Sequence, residues 1–148
     1  MVCDGAGNPL GAIISAGQRH DSAFLKEVLQ TVCIAGKQGR PKNRPKVVIA
    51  DKGYDSKEIR KYLRQRNIKA VIPEKSLGTG RKRRKRGPKI KLNKQIYKMR
   101  NVIERLIGRL KNCRRIATRY EKYAGSFLAM INLAFIQFYL KKYFSDTL

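Results

Sequence analysis

An aspartate placed where a buried strand ends is the first candidate for chemistry in this sequence. Residues 47–50, Val-Val-Ile-Ala, form a short continuous apolar run, which is the pattern of a strand buried on both faces. Asp51 follows at once and begins a turn that contains Gly53. In open α/β sheets ligands bind at the carboxyl ends of strands, so a carboxylate at this position is well placed to hold a metal ion. An aspartate that merely starts a turn gives the same pattern.

A glutamate between cations on one helical face is the second candidate. At about 100° per residue, Tyr97, Arg100, Glu104 and Lys111 share an arc of roughly 60° on a helix predicted over about residues 95–114. The apolar residues of this helix gather on the other side: Val102, Ile103, Leu106, Leu110 and Cys113. The acid is therefore presented away from the core. A solvated face with an Arg100–Glu104 ion pair one helical turn apart explains the same spacing without chemistry.

The charge of the chain indicates a polyanionic partner. The 148 residues include 35 Lys and Arg against 10 Asp and Glu, a net charge of +25. So large a charge repels itself in a compact fold and is most easily explained beside nucleic acid, with an anionic membrane surface as the weaker alternative. Six consecutive cations predict a flexible basic loop over about residues 77–94 that contacts the DNA backbone, although their composition also resembles a nuclear localisation signal: Arg81, Lys82, Arg83, Arg84, Lys85 and Arg86.

Cysteine usage and hydropathy favour a cytosolic protein. Cys3, Cys33 and Cys113 are isolated and odd in number, so we expect reduced thiols rather than disulfides or a zinc site. The N-terminal residues lack the basic and apolar regions of a signal peptide, so we do not expect secretion. The apolar stretch 127–140 is short of the ~20 residues that span a bilayer, which favours a buried core helix and no membrane partner.

The elements that must position these residues alternate between strands and helices. A hairpin turn over residues 4–8 precedes a strand at 10–15, and a helix capped by Asp21 or Ser22 follows. We expect His20 to make a hydrogen bond at that helix entry rather than to bind metal. A helix at about 56–66 capped by Asp55, a strand at 70–72 and a helix at about 125–142 complete the pattern. The sequence therefore predicts one α/β domain over residues 1–148.

Several motifs together resemble one family. The spacing Tyr97-x2-Arg100-x3-Glu104-x6-Lys111 resembles the signature around the catalytic glutamate of DDE-type transposases of bacterial insertion sequences. Residues 50–55 are similar to the segment that carries the second catalytic aspartate of that family. Further segments that resemble the family are residues 7–9, 17–22 and 115–120.

The resemblance implies a fold and a mechanism. It implies an RNase H-like mixed sheet flanked by helices, N-terminally truncated in this chain, in which three carboxylates hold two Mg²⁺ ions, with Mn²⁺ as the alternative. Asp51 and Glu104 would be catalytic metal ligands. Arg100 and Lys111 would be catalytic cations that steady charge at phosphorus or on the DNA strand. Tyr97 would stack on or bond to DNA, unless it only packs.

One family residue has no counterpart at its expected position. The first catalytic aspartate of the family lies upstream of the segment where this sequence begins, and Asp4 lies instead at a hairpin tip, so we expect no catalytic role for Asp4. We therefore expect a chain that is inactive alone. It would be the downstream reading frame of a split transposase, completed by an upstream-frame segment, or a decayed or truncated copy.

Two functions remain open at this stage. The first is a transposase that cuts and joins transposon ends and target DNA, in the bacterial cytoplasm at the nucleoid, with a second copy of the chain as a further partner. The second is a non-catalytic DNA-binding remnant or regulator that occupies transposon ends. A basic RNA-associated protein would leave the matched acids unexplained.

Overall fold

The structure, a computed structural model, describes residues 1–36, 39–75 and 91–144. It divides into two compact units. Residues 44–100 form the βαβ unit, and residues 1–43 with 101–148 form the hairpin–helix unit. The elements in chain order are β1 (Val2–Cys3), β2 (Pro9–Gly11), α1 (Leu25–Gln30), β3 (Val47–Ile49), α2 (Lys57–Gln65), β4 (Lys69–Val71), α3 (Lys94–Lys98), α4 (Asn101–Lys111), α5 (Arg114–Ala117) and α6 (Ala124–Phe144).

The βαβ unit is built as the sequence predicts. Strands β3 and β4 pair in parallel, with Val47 opposite Lys69, and α2 connects them. The α2 helix presents Ile59 and Leu63 to the core, four residues apart on one face, and Leu63 is fully buried. Strand β3 is less buried than predicted: its central residue, Val48, is buried, and Val47 and Ile49 are half-buried.

The two ends of α2 have clear local causes. The Ser56 hydroxyl accepts a hydrogen bond from the Ile59 N–H at 3.1 Å and caps the first turn. Ser56 is therefore the cap, and the prediction that Asp55 caps this helix is wrong. Asn67 ends the helix in the left-handed conformation at φ 52°, a region that asparagine tolerates better than most residues. The N–H of Ile68 then reaches back to the Leu63 carbonyl at 2.8 Å.

In the hairpin–helix unit, a hairpin at the start of the chain is held by the last helix. Strands β1 and β2 pair antiparallel around the predicted turn at residues 4–8. The Tyr139 hydroxyl on α6 donates to the Pro9 carbonyl at 2.7 Å, and the Lys142 ammonium donates to the Asn8 side chain at 3.0 Å. The buried side chains of this packing are Leu110 from α4 and Ile131, Ala134 and Phe135 from α6.

The long apolar helix is only partly a core helix. The prediction that it is buried holds for the face with Ile131, Ala134 and Phe135, while Leu133 and Leu140 on α6 are exposed. By length and composition alone α6 could also cross a membrane. That is weak support for a membrane helix, because core helices of soluble proteins pass the same test.

The helix entered after residue 20 begins differently from the prediction. A short 3₁₀ turn over Asp21–Phe24 precedes α1, and its N-cap is His20 rather than Asp21 or Ser22. The His20 ring nitrogen Nδ1 accepts from the Ser22 N–H at 3.3 Å and lies 2.7 Å from the Ser22 hydroxyl. The expected helix-entry hydrogen bond of His20 is therefore present.

The helix predicted over residues 95–114 is interrupted. It consists of α3 and α4, separated by a tight turn in which the N–H groups of Met99 and Arg100 bond to carbonyls three residues back, at Ile96 and Tyr97. A turn with three-residue hydrogen bonds has about 3.0 residues per turn instead of about 3.6, so the regular α-helical periodicity is broken at this point. No proline or glycine marks this point in the sequence, so the interruption had no local signal.

Candidate active site and nucleic-acid surfaces

Asp51 lies just beyond the carboxyl end of β3, as the strand pattern predicts. It is the N-cap of a short 3₁₀ turn over Lys52–Tyr54, and its Oδ1 accepts a hydrogen bond from the Gly53 N–H at 2.8 Å. Its side chain is exposed. One carboxylate oxygen is thus fixed by the turn. The turn-starting and metal-binding interpretations of Asp51 are compatible, because the turn orients the group that would bind an ion.

Asp55 anchors the end of this turn. Its Oδ1 accepts from the Arg60 Nε at 2.7 Å, and its Oδ2 accepts from the Lys75 N–H at 2.7 Å. The Arg60 guanidinium also donates to the Ile72 carbonyl at 2.8 Å. The turn after β3, helix α2 and the chain after β4 are therefore tied together by one nearly buried ion pair. This connection fixes the backbone that carries Asp51.

Glu104 lies in the first turn of α4, within the hairpin–helix unit. Its carboxylate is exposed and lies at the helix end where the aligned peptide dipoles favour negative charge. Lys111 lies in the last turn of the same helix. Seven residues make about two turns, so Glu104 and Lys111 share a face as predicted.

Tyr97 and Arg100 lie before α4, in α3 and the turn that follows it. The Arg100 guanidinium carbon lies 5.9 Å from the centroid of the Tyr97 ring, and both side chains are half-buried. The prediction that one continuous helix carries all four signature residues is therefore wrong. Tyr97 lies in α3, Arg100 in the turn after it, and Glu104 and Lys111 in α4.

That Asp51 and Glu104 lie close together stays a prediction. Asp51 belongs to the βαβ unit and Glu104 to the hairpin–helix unit. Among the residues that the structure describes, no three His, Cys, Asp or Glu side chains form a group that could hold a metal ion. Two carboxylates with water and substrate phosphates are nevertheless a donor set that Mg²⁺ accepts, because the ion commonly uses only one or two protein carboxylates.

Both carboxylate oxygens of Asp4 accept hydrogen bonds within the hairpin turn. Its Oδ1 accepts from the N–H groups of Ala6 and Asn8 at 2.9 and 2.8 Å, and its Oδ2 accepts from the Asn8 side chain at 2.6 Å. Partial burial raises the pKa of Asp4, but these hydrogen bonds and the charge of Lys142 outweigh burial and leave the pKa below its ordinary value. These contacts support a structural role.

A cleft at the end of α4 is the feature that sequence reasoning missed. It has a volume of about 670 Å³, and its lining comes from the end of α4, from α5 and from α6. Its four cations are distributed over three helices, so no periodicity within one helix reveals them: Arg109, Arg114, Arg115 and Lys141. The predicted DNA-contacting run at residues 81–86 lies outside the described residues, as does most of the predicted loop.

Comparisons with known proteins agree with the resemblance of the motifs. The model of the transposase DDE domain matches residues 1–138. A protein of Burkholderia cepacia, named as a transposase for insertion sequence element IS402, is 34% identical over 134 residues, which cover 88% of this chain and 57% of that protein. A protein of Brucella ovis, named as a transposase for insertion sequence element IS6501, is 35% identical over 94 residues, covering 64% of this chain and 67% of that protein.

No solved structure matches significantly. The chain spans little more than half the length of the IS402 relative. The family model covers most of the chain, and the IS402 relative is 34% identical to it. Together these matches show the family. The chain belongs to the DDE transposase domain family.

Proposed function

We propose that this chain acts in DNA transposition by metal-dependent phosphoryl transfer, with Asp51 and Glu104 as the carboxylates that hold a divalent ion. The single observation that carries the proposal is the exposed, oriented carboxylate of Asp51 at the carboxyl end of β3. The second support is Glu104, whose sequence motif resembles the one around the family glutamate and which lies exposed in the first turn of α4.

Each side chain has a distinct task in the proposal. The Gly53 N–H holds one oxygen of Asp51, which lowers the conformational cost of binding an ion with the other. Lys111, two turns from Glu104, balances charge on the reacting phosphate. Arg100, with its guanidinium over the Tyr97 ring, holds the DNA strand near the reacting bond. Asp51 and Glu104 would hold Mg²⁺ or Mn²⁺, which when bound would supply Lewis acidity for in-line displacement at phosphorus.

The fold and the number of carboxylates are part of the proposal. We expect an RNase H-like arrangement, with which the parallel β3–β4 pair and its connecting helix are compatible. We also expect a third carboxylate to be needed for cleavage, beyond Asp51 and Glu104 and not supplied by Asp4, so residues 1–148 alone would bind DNA without cutting it. The partners would be transposon ends and target DNA, an upstream segment that carries the third acid, and a second copy of the chain, in the cytoplasm at the nucleoid.

Metal binding tests whether the two acids share an ion. We would titrate Mn²⁺ by calorimetry into Asp51→Asn, Glu104→Gln and the double variant, with Glu58→Gln as the control because Glu58 is an exposed acid on α2. Each single variant should weaken binding at least ten-fold, and the double variant should be little weaker than either, because residues that share one ligand are not additive. Losses of Mn²⁺ affinity that are additive, or no larger than that of the control, would contradict a shared metal site.

A cleavage assay separates the enzyme from a non-catalytic DNA binder. Residues 1–148 are combined with DNA carrying transposon ends and Mg²⁺, with and without the upstream segment. Cleavage that depends on that segment and disappears in Glu104→Gln, while DNA binding persists, supports the proposal. Binding that never leads to cleavage under either condition supports a regulator that only occupies the ends.

A further inference from the structure

The cleft at the end of α4 has the charge of an anion-binding site. None of its lining residues is an aspartate or glutamate, while four are cations. One of them, Arg115, donates to Glu121 at 2.8 Å and is partly neutralised. Arg114 and Lys141 are exposed and form no ion pair with any carboxylate in the described part of the chain. The cleft is therefore complementary to a ligand with more than one negative charge.

The lining of the cleft is also apolar, which a bare phosphate does not require. Ile116, Leu133 and Phe138 contribute to it, and Leu133 is 57% exposed. The Arg109 guanidinium carbon lies only 4.1 Å from the centroid of the Phe138 ring. Unpaired bases stack on aromatic rings and on guanidinium planes in proteins that bind single strands. A volume of about 670 Å³ lies in the range of ligand-binding pockets.

The cleft lies on a different face of α4 from Glu104. Arg109 is five residues after Glu104, which places it about 140° around the helix, whereas Lys111 returns to within roughly 20° of Glu104. Arg109 therefore does not share the face of α4 that carries Glu104 and Lys111.

We infer that this cleft binds a segment of single-stranded nucleic acid, with bases against the apolar lining and phosphates on Arg114 and Lys141. A duplex uses the cations alone, because its bases are stacked and paired and cannot enter the cleft. The inference rests on the proposed function only in taking DNA as the partner. It is independent of metal, so its failure and the failure of the metal site can be told apart.

Two matched pairs of variants test the inference in the complete 148-residue chain. Leu133→Gln changes the cleft, and Leu140→Gln makes the same change at a residue of α6 that is 51% exposed and outside the lining. Arg114→Gln removes a cation of the cleft, and Arg105→Gln removes an exposed cation of α4 outside it. Fluorescence anisotropy with EDTA present measures the affinity for labelled oligo(dT) and for a duplex of equal length. Circular dichroism establishes that each variant is folded.

The expected results differ between the two probes. Leu133→Gln should weaken oligo(dT) binding about five-fold relative to Leu140→Gln and leave duplex binding within about two-fold, because only unpaired bases contact the lining. Arg114→Gln should weaken both probes more than Arg105→Gln and reduce the salt slope for oligo(dT) by about 0.7.

Three results would overturn the inference. In the first, Leu133→Gln binds oligo(dT) as Leu140→Gln does. In the second, the variant loses as much affinity for the duplex as for oligo(dT), which would assign the cleft to duplex binding. In the third, Leu133→Gln binds oligo(dT) normally but no longer binds a helical peptide rich in Glu and Leu, which would assign the cleft to a protein partner.

Discussion

Removal of the Asp55 carboxylate should destabilise the βαβ unit more than any surface charge change. The side chains of Asp55 and Arg60 retain only 8% and 15% of their exposure, and their ion pair measures 2.7 Å. Breaking a buried pair costs about 3–5 kcal/mol, because one charge is left without its partner. Arg60 keeps its bond to the Ile72 carbonyl, so we take the lower end, about 3 kcal/mol, for Asp55→Ala.

The assay is urea and thermal unfolding followed by far-UV circular dichroism. At roughly 3 °C per kcal/mol for a chain of this size, Asp55→Ala should lower Tm by about 9 °C. Glu74→Ala is the control, since Glu74 is exposed in the same unit, and it should change stability by less than about 0.5 kcal/mol. The loss in Asp55→Ala should persist at high salt, because a desolvated pair is poorly screened.

A double variant tests the mechanism of that loss. Asp55→Ala combined with Arg60→Met removes the stranded charge and should recover part of the stability, as apolar replacements of buried pairs often do. The reasoning is refuted if Asp55→Ala lies within about 1 kcal/mol of Glu74→Ala, since the pair would then behave as an exposed one. Asp55→Ala should also reduce Mn²⁺ binding without removing a proposed ligand, because the turn that presents Asp51 loses its anchor.

Three further predictions concern individual side chains. Ser56→Ala should cost about 1 kcal/mol in urea unfolding through loss of the α2 cap, and an unchanged midpoint would contradict the capping argument. Tyr139→Phe should cost about 1 kcal/mol by leaving the Pro9 carbonyl without its donor, and a cost equal to zero would mean that water replaces the hydroxyl. The lowered pKa of Asp4 means that its contribution is complete above the ordinary pKa of about 3.9 and is lost as pH falls through the folded pKa. Asp4→Asn should therefore flatten the acid side of a Tm-against-pH curve, and an unchanged acid side would refute the linkage.

Local sequence signals predicted the βαβ unit well. The apolar run before Asp51 predicts a strand, and the spacing of Ile59 and Leu63 predicts a helix. Both signals lie within a few residues of sequence, and the structure contains both elements. The hairpin around residues 4–8 was equally readable, because its turn residues bond to their own backbone. These features depend on interactions within a few residues.

Features that depend on distant segments were not predictable in the same way. The turn at Met99 and Arg100 separates two helices without any proline or glycine to signal it. The burial of only one face of α6 depends on which segments pack against it, as the contact with Leu110 illustrates. The cleft exists only because three helices meet. The proximity of Asp51 and Glu104 stays a prediction for the metal titration to decide.

The sequence separation of the contacts within each unit has a consequence for how the chain is made. Tyr139 bonds to Pro9 across 130 positions, so the β1–β2 hairpin cannot complete its packing until α6 has left the ribosome. Residues 44–100, by contrast, find their partners among themselves, and their strand pair and helix are available much earlier. A nascent chain should therefore acquire protection from protease in residues 44–100 before it does so in the β1–β2 hairpin.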